Sequence, residues 1–172
     1  MATLLFFDED HRYTLDGEAL PSVSELCRFL SREIYGDVAQ WRLDTAADRG
    51  TAVHKAAEAL DKYGKVDVQD DILPYLQAYL TFRREHTVEW HKIEFATHHP
   101  TDHYAGTVDR YGLLDGFIAL LDIKTSYTIH KPLCAAQLNL YRRMLEANGF
   151  LAERLYILHL KKDGTYKLQP FD

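Results

Sequence analysis

Apolar and polar positions along the chain change period several times, and each change marks an element. Residues 105–114 and 117–125 are rich in β-favouring side chains and flank Asp115-Gly116, a dipeptide that tolerates the positive φ of a type I′ turn, so they predict an antiparallel hairpin. With those two residues as the whole loop, Leu114 faces Phe117, Asp109 faces Asp122 at a non-hydrogen-bonded position, and Thr107 faces Lys124. Residues 4–7 and 12–15 read as short strands, Asp16-Gly17 as a turn, and 18–21 as a lead-in to a helix. That helix runs from Val23 to about Ser31 and is opened by the capping-box spacing Ser22-Val23-Ser24-Glu25. Val38–Lys62 reads as helical with a break near Arg49-Gly50 and a stop at Gly64. Ile72–Glu85 follows, with Pro74 in its first turn. Val88–His98 is strand-like, 100–103 a turn, and Pro132–Ala147 a helix closed by Asn148-Gly149. Arg154–Leu160 and Tyr166–Gln169 form a last hairpin across Asp163-Gly164.

This order of elements predicts a single α/β (α+β) domain over 1–172, with a central mixed sheet flanked by helices. A chain of 172 residues with 47% hydrophobic and 27% charged content buries a core without staples. No apolar run spans a bilayer, and the start of the chain lacks the basic region of a signal peptide, so no membrane partner is expected and the compartment is the cytoplasm. Cys27 and Cys134 read as buried thiols on helices and are too few for an iron–sulfur cluster. The net charge of −6 speaks against broad, non-specific duplex binding, which depends on neutralising phosphates. A nucleic-acid surface on this chain has to be local.

The central hairpin carries the candidate chemistry. Like charges facing each other across a sheet are destabilising, and a divalent cation between Asp109 and Asp122 reverses that sign. Strand alternation puts Lys124 on the same face as Asp122 and turns Ile123 into the core. Two facing carboxylates beside a cation describe a catalytic metal site; a solvated face carrying charges is the alternative, and it leaves the facing of the acids unexplained.

Four segments, read together, resemble the PD-(D/E)XK nuclease superfamily, in its branch of RecB nuclease domains and lambda-type exonucleases. They are Gly50-Thr51-Ala52-Val53-His54, Gly106-Thr107-Val108-Asp109, Asp122-Ile123-Lys124 and Gln137-Leu138-Asn139-Leu140-Tyr141. The resemblance implies a restriction-endonuclease-like core and a metal-dependent DNA nuclease acting on linear ends, with a structure- or sequence-specific endonuclease or a catalytically silent DNA-binding factor as alternatives. It implies His54, Asp109, Asp122 and the Ile123 carbonyl as metal ligands. Lys124 would orient and help deprotonate the attacking water and stabilise charge on the scissile phosphate. Carboxylates suit Mg²⁺, and an imidazole ligand widens the choice to Mn²⁺. By resemblance alone, a place in phage-type recombination or repair beside a recombination protein follows.

Glu94, on the preceding strand, is either a further ligand or a solvated strand glutamate. Gln137 and Tyr141 share a helix face and either contact phosphate or pack the helix on the sheet. Arg49, Lys55 and Lys131, with Arg142 and Arg143, are candidate DNA contacts. His98, His99 and His103 cluster without a cysteine and read as solvated turn residues. Ser22 and Ser24 read as caps, and the absence of a Walker loop excludes a nucleotide cofactor.

Overall fold

A computed structural model describes residues 3–171. Three short strands, β1 (Leu4–Phe7), β2 (Arg12–Leu15) and β3 (Glu18–Leu20), form an antiparallel meander. Asp16 and Gly17 take φ of 52° and 88°, and this tight turn folds 18–20 back onto β2 as a strand where the sequence predicted only a lead-in. The expected capping box is present: Ser22 and Glu25 each accept from the other's backbone N–H. The helix it opens divides at Cys27 into α1 (Val23–Leu26) and α2 (Arg28–Tyr35), because Cys27 leaves helical geometry at φ −87°, ψ 3°. Both Val23 and Cys27 are buried at this bend.

The second helical region is α3 (Gln40–Tyr63), continuous through Arg49-Gly50, where a break was expected. A Cβ placed on Gly50 would meet only Thr125 Oγ1 at 3.8 Å, so this glycine neither bends the helix nor answers to crowding. Gly64 ends α3 in the left-handed conformation, as its position predicts. Next come α4 (Leu73–Glu85), β4 (Val88–His99), β5 (Tyr104–Leu114), β6 (Phe117–Lys124), α5 (Lys131–Ala147), β7 (Arg154–Leu160) and β8 (Tyr166–Phe171).

The last five strands form a mixed sheet in the order β4-β5-β6-β7-β8, parallel only between β6 and β7, which α5 connects. A parallel pair needs such a crossover and is buried on both faces, which explains the near-continuous apolar runs of β6 and β7. On one face Leu121, Ile123 and Leu158 pack against Val53 and Ala57 of α3 and Tyr79 and Phe82 of α4. On the other, Leu120 and Ile157 pack against Val23 of α1 and Leu138, Met144 and Leu145 of α5. The fold is thus α+β, with helices covering both faces of the sheet. No helix among the described residues is long and apolar enough to cross a membrane.

The central hairpin turns at Asp115-Gly116 with φ of 50° and 87°, in the predicted register from Leu114–Phe117 to Arg110–Leu121. The ladder ends there, one residue short of the predicted Asp109–Asp122 pair. Thr107 pairs with Ala96 instead of facing Lys124. Beyond this point β5 stays with β4 as far as Tyr104–His99, while β6 stays with β7 as far as Lys124–His159. The two strands therefore fork. At the fork the Ile123 N–H donates to Asp109 Oδ2 at 2.6 Å, so a side-chain carboxylate replaces the missing ladder carbonyl.

A second irregularity lies on β4, whose register against β5 shifts between Trp90 and Lys92. Gly112 sits beneath this bulge. A Cβ there would lie 2.7 Å from His91 N and 2.8 Å from Trp90 Cα, both backbone atoms that cannot move aside cheaply. Gly112→Ala is expected to cost about 1–3 kcal/mol by overpacking, measured as a lower denaturant midpoint.

Candidate active site

The fork opens onto a groove of about 560 Å³ lined by Asp109, Asp122, Ile123, Lys124, His54, Glu94, Gln137 and Tyr141, so the predicted ligand and catalytic residues converge there from α3, β4, β5, β6 and α5. Three of them form a tight cluster. His54 Nδ1 lies 3.2 Å from Glu94 Oε1 and 3.5 Å from Asp109 Oδ1, and the ligating atoms of the trio all lie within 4.8 Å of one another. His54 Nε2 donates to the Ile123 carbonyl at 3.1 Å, a bond that fixes the imidazole with Nδ1 facing the two carboxylates. That is the arrangement in which a ligating histidine is held by its other nitrogen. The Ile123 carbonyl, predicted as a ligand in its own right, here orients His54.

Charge is concentrated in this cluster. Burial pushes the His54 pKa down, but the carboxylates of Asp109 and Glu94 outweigh it and hold the imidazole at about 9. Burial raises the Asp109 pKa, with His54 opposing the rise. Burial likewise raises Asp122 against the pull of Lys124. Lys124 loses by burial and regains more from Asp122, so its ammonium is held above the usual lysine value.

Asp122 stands apart from the trio. Its Oδ2 lies 2.9 Å from Lys124 Nζ and forms a buried ion pair with it. Burying a carboxylate that is only 5% exposed is costly unless it is paired, and Lys124 supplies that partner. The trio's one imidazole and two carboxylates, with the Asp122 carboxylate lining the same groove, suit a divalent cation that favours oxygen, Mg²⁺ or Mn²⁺.

Glu94 reaches the cluster by a backbone the sequence gives no sign of. In mid-strand it takes φ of 45°, the left-handed region, which is strained for a residue with a side chain. Arg110 holds it there. This arginine has no solvent exposure. Its Nη1 donates to Glu94 Oε1 at 3.0 Å and to the Asp109 carbonyl at 2.7 Å, and its Nε donates to Asp61 Oδ2 at 2.8 Å. Asp61 also accepts from Tyr79 OH at 2.6 Å and pairs with Arg83. The alternation of β5 and the placement of Asp61 two helical turns after His54 on α3 are the signals that could have revealed this network.

Gln137 and Tyr141 lie on the groove side of α5. Gln137 Oε1 is buried without a partner. The Tyr141 ring explains Gly106, since a Cβ at that position would fall 2.8 Å from Tyr141 Cε1 and 3.0 Å from Val23 Cγ2. Burial raises the Tyr141 pKa well above the ordinary phenol value, so its hydroxyl stays neutral.

The predicted DNA-contacting cations are less free. Arg49 lies over the Tyr75 ring and donates to the Thr125 carbonyl, and Lys55 pairs with Asp8 at 3.1 Å. Lys131 is exposed at the start of α5. Arg143 pairs with Asp102, while His99, of the turn histidines, stacks on Tyr104. Cys27 and Cys134 are buried free thiols.

His54→Ala is expected to weaken Mn²⁺ binding by about tenfold or more, the scale on which ligands and their supporting partners act. An unchanged Mn²⁺ titration with only a lowered melting point would reduce His54 to a core residue. Compared with models of protein families and with curated proteins, the chain matches none.

Proposed function

We propose that this chain is a divalent-metal-dependent deoxyribonuclease with a restriction-endonuclease-like core, hydrolysing phosphodiester bonds at DNA ends. The observation that carries the reading is the cluster of His54, Glu94 and Asp109 beside the buried Asp122–Lys124 ion pair. Four acidic or imidazole groups converge at a strand fork, and two buried networks hold them there. Buried groups with shifted pKa values that meet in a groove favour a functional site. The four motifs that resemble the RecB and lambda-exonuclease branch supply the preference for DNA, for ends, and for a place in recombination or repair.

A divalent cation bound by His54, Glu94, Asp109 and Asp122 would supply Lewis-acid charge and make water nucleophilic near neutral pH. The protein's own groups do the remainder. Asp109, locked by the Ile123 N–H, and Glu94, locked by Arg110, set the positions of the ligands. Lys124, held as an ammonium, is placed to orient the attacking water and to donate to a phosphoryl oxygen as negative charge accumulates there. Gln137 brings a free buried amide oxygen to the same wall.

End-labelled linear, covalently closed circular and single-stranded DNA, incubated with Mg²⁺, Mn²⁺ or chelator, test the reading. Cleavage of linear DNA with either metal and none in chelator is the expected result. Equal nicking of closed circles would move the assignment to an endonuclease. No metal-dependent cleavage of any substrate would overturn it.

A further inference from the structure

The groove above the metal cluster has two walls of different character. One is the β1–β2 hairpin, which contributes Phe6, His11 and Tyr13. The Phe6 ring stacks on Tyr13 with centroids 4.8 Å apart at 26°, and His11 lies 5.9 Å from Phe6 on the same hairpin. The other wall is α3, with Gly50, Thr51 and Lys55. Two contacts fix the hairpin in place. Tyr13 OH and Thr107 Oγ1 share a hydrogen bond at 2.8 Å, which ties it to β5 two residues before Asp109. The Lys55–Asp8 ion pair, at 3.1 Å, links it to α3. The hairpin is therefore tied to β5 and to α3, and its Phe6 and His11 line the same groove as the candidate ligands.

Charge narrows what can enter. The chain carries a net charge of −6, and the cations nearest the groove are engaged, Lys55 with Asp8, Lys124 with Asp122, and Arg110 with Asp61 and Glu94. Gripping a duplex depends on neutralising many phosphates, which this surface does not offer. Aromatic rings bind nucleic acid by another means: they stack on bases, and only unpaired, unstacked bases present a free face to them. Gly50 adds room, since its missing side chain leaves the α3 wall flat where nothing in the fold requires it.

Building on the proposed nuclease reading, we infer that the groove takes one unpaired nucleic-acid strand, laid along the β1–β2 hairpin and held by base stacking on Phe6, which Tyr13 backs, and on His11. A duplex is then a substrate only through a frayed or single-stranded end.

Binding tests this independently of catalysis. Lys124→Ala keeps every candidate metal ligand, so in Mg²⁺ it serves as a non-cleaving probe, read by fluorescence anisotropy. A labelled short oligothymidylate is expected to bind at least about tenfold tighter than a blunt hairpin duplex, with a shallow salt dependence corresponding to one or two phosphates. Adding Phe6→Ala should weaken oligothymidylate binding by roughly tenfold. His11→Ala, at an exposed position, gives a second variant should Phe6→Ala disturb the hairpin, and it should weaken binding in the same direction. Duplex binding as tight as single-strand binding, or affinity unchanged in both aromatic variants, overturns the inference. Strand binding of the expected kind in a wild-type chain that cleaves no DNA would remove the nuclease reading and leave the strand groove standing.

Discussion

Replacing Lys124 with alanine is expected to lower metal-dependent DNA cleavage by at least about a hundredfold while leaving the fold and the metal site in place. The reason is geometric. Lys124 Nζ lies 2.9 Å from the Asp122 carboxylate, and its ammonium is held charged by that neighbour against the cost of desolvation. A positive charge fixed by an ion pair beside the reacting phosphate stabilises developing negative charge better than a mobile lysine at the surface. Its loss should therefore appear in kcat, with little change in the metal concentration needed for half-maximal rate. Wild-type turnover in a pure Lys124→Ala preparation would contradict this role.

The second large effect concerns stability and has opposite signs in one variant. Burial raises the Asp122 pKa by more than the Lys124 ammonium, 2.9 Å away, lowers it, so the charged form is disfavoured in the folded chain without metal. An Asp122→Asn chain in chelator should accordingly be as stable as wild type, or slightly more so. With metal the order reverses. A cation that binds only the folded state adds about 2.7 kcal/mol at a hundredfold excess over Kd, and Asp122→Asn should forfeit most of that gain. Calorimetry of both chains, in chelator and in saturating Mg²⁺, gives the four melting points. Marked destabilisation in chelator together with a full metal response would show Asp122 to be an ordinary structural aspartate.

Local structure was legible where local chemistry decides it. Asp115-Gly116 and Asp16-Gly17 make tight turns because their residues tolerate positive φ, and Ser22 caps its helix because its hydroxyl meets a free N–H. The convergence of Asp109, Asp122 and Lys124 was readable from strand alternation around one turn. The fork was not. Beyond Arg110–Leu121, β5 follows β4 and β6 follows β7, partners that lie far away along the chain. The expected facing pair thus became one carboxylate bonded to a backbone N–H and one paired with lysine. Continuity of α3 through Gly50 is a similar case, since a single glycine weakens a helix by only about 1 kcal/mol and packing around Val53 and Ala57 overrides it.

Arg110 and the left-handed Glu94 escaped detection for a further reason. No propensity scale marks a glutamate at positive φ in a strand, and an arginine in β5 reads as a surface charge until α3 and α4 are folded over it. The structure gives it Asp61, Tyr79, Glu94 and the Asp109 carbonyl as partners. Gly106, by contrast, had a motif assignment from the sequence but acquired a physical cause only once the Tyr141 ring was seen against it.

The nuclease reading rests on one cation site at His54, Glu94, Asp109 and Asp122. Direct titration of Mn²⁺, followed by the loss of its free-ion electron paramagnetic resonance signal, tests that site without any assumption about substrate. The wild-type chain should bind Mn²⁺ saturably, with Mg²⁺ competing, and Asp109→Asn and Glu94→Gln should each weaken that binding by at least about tenfold. Absence of saturable binding in the wild type, or binding indifferent to both substitutions, would contradict it.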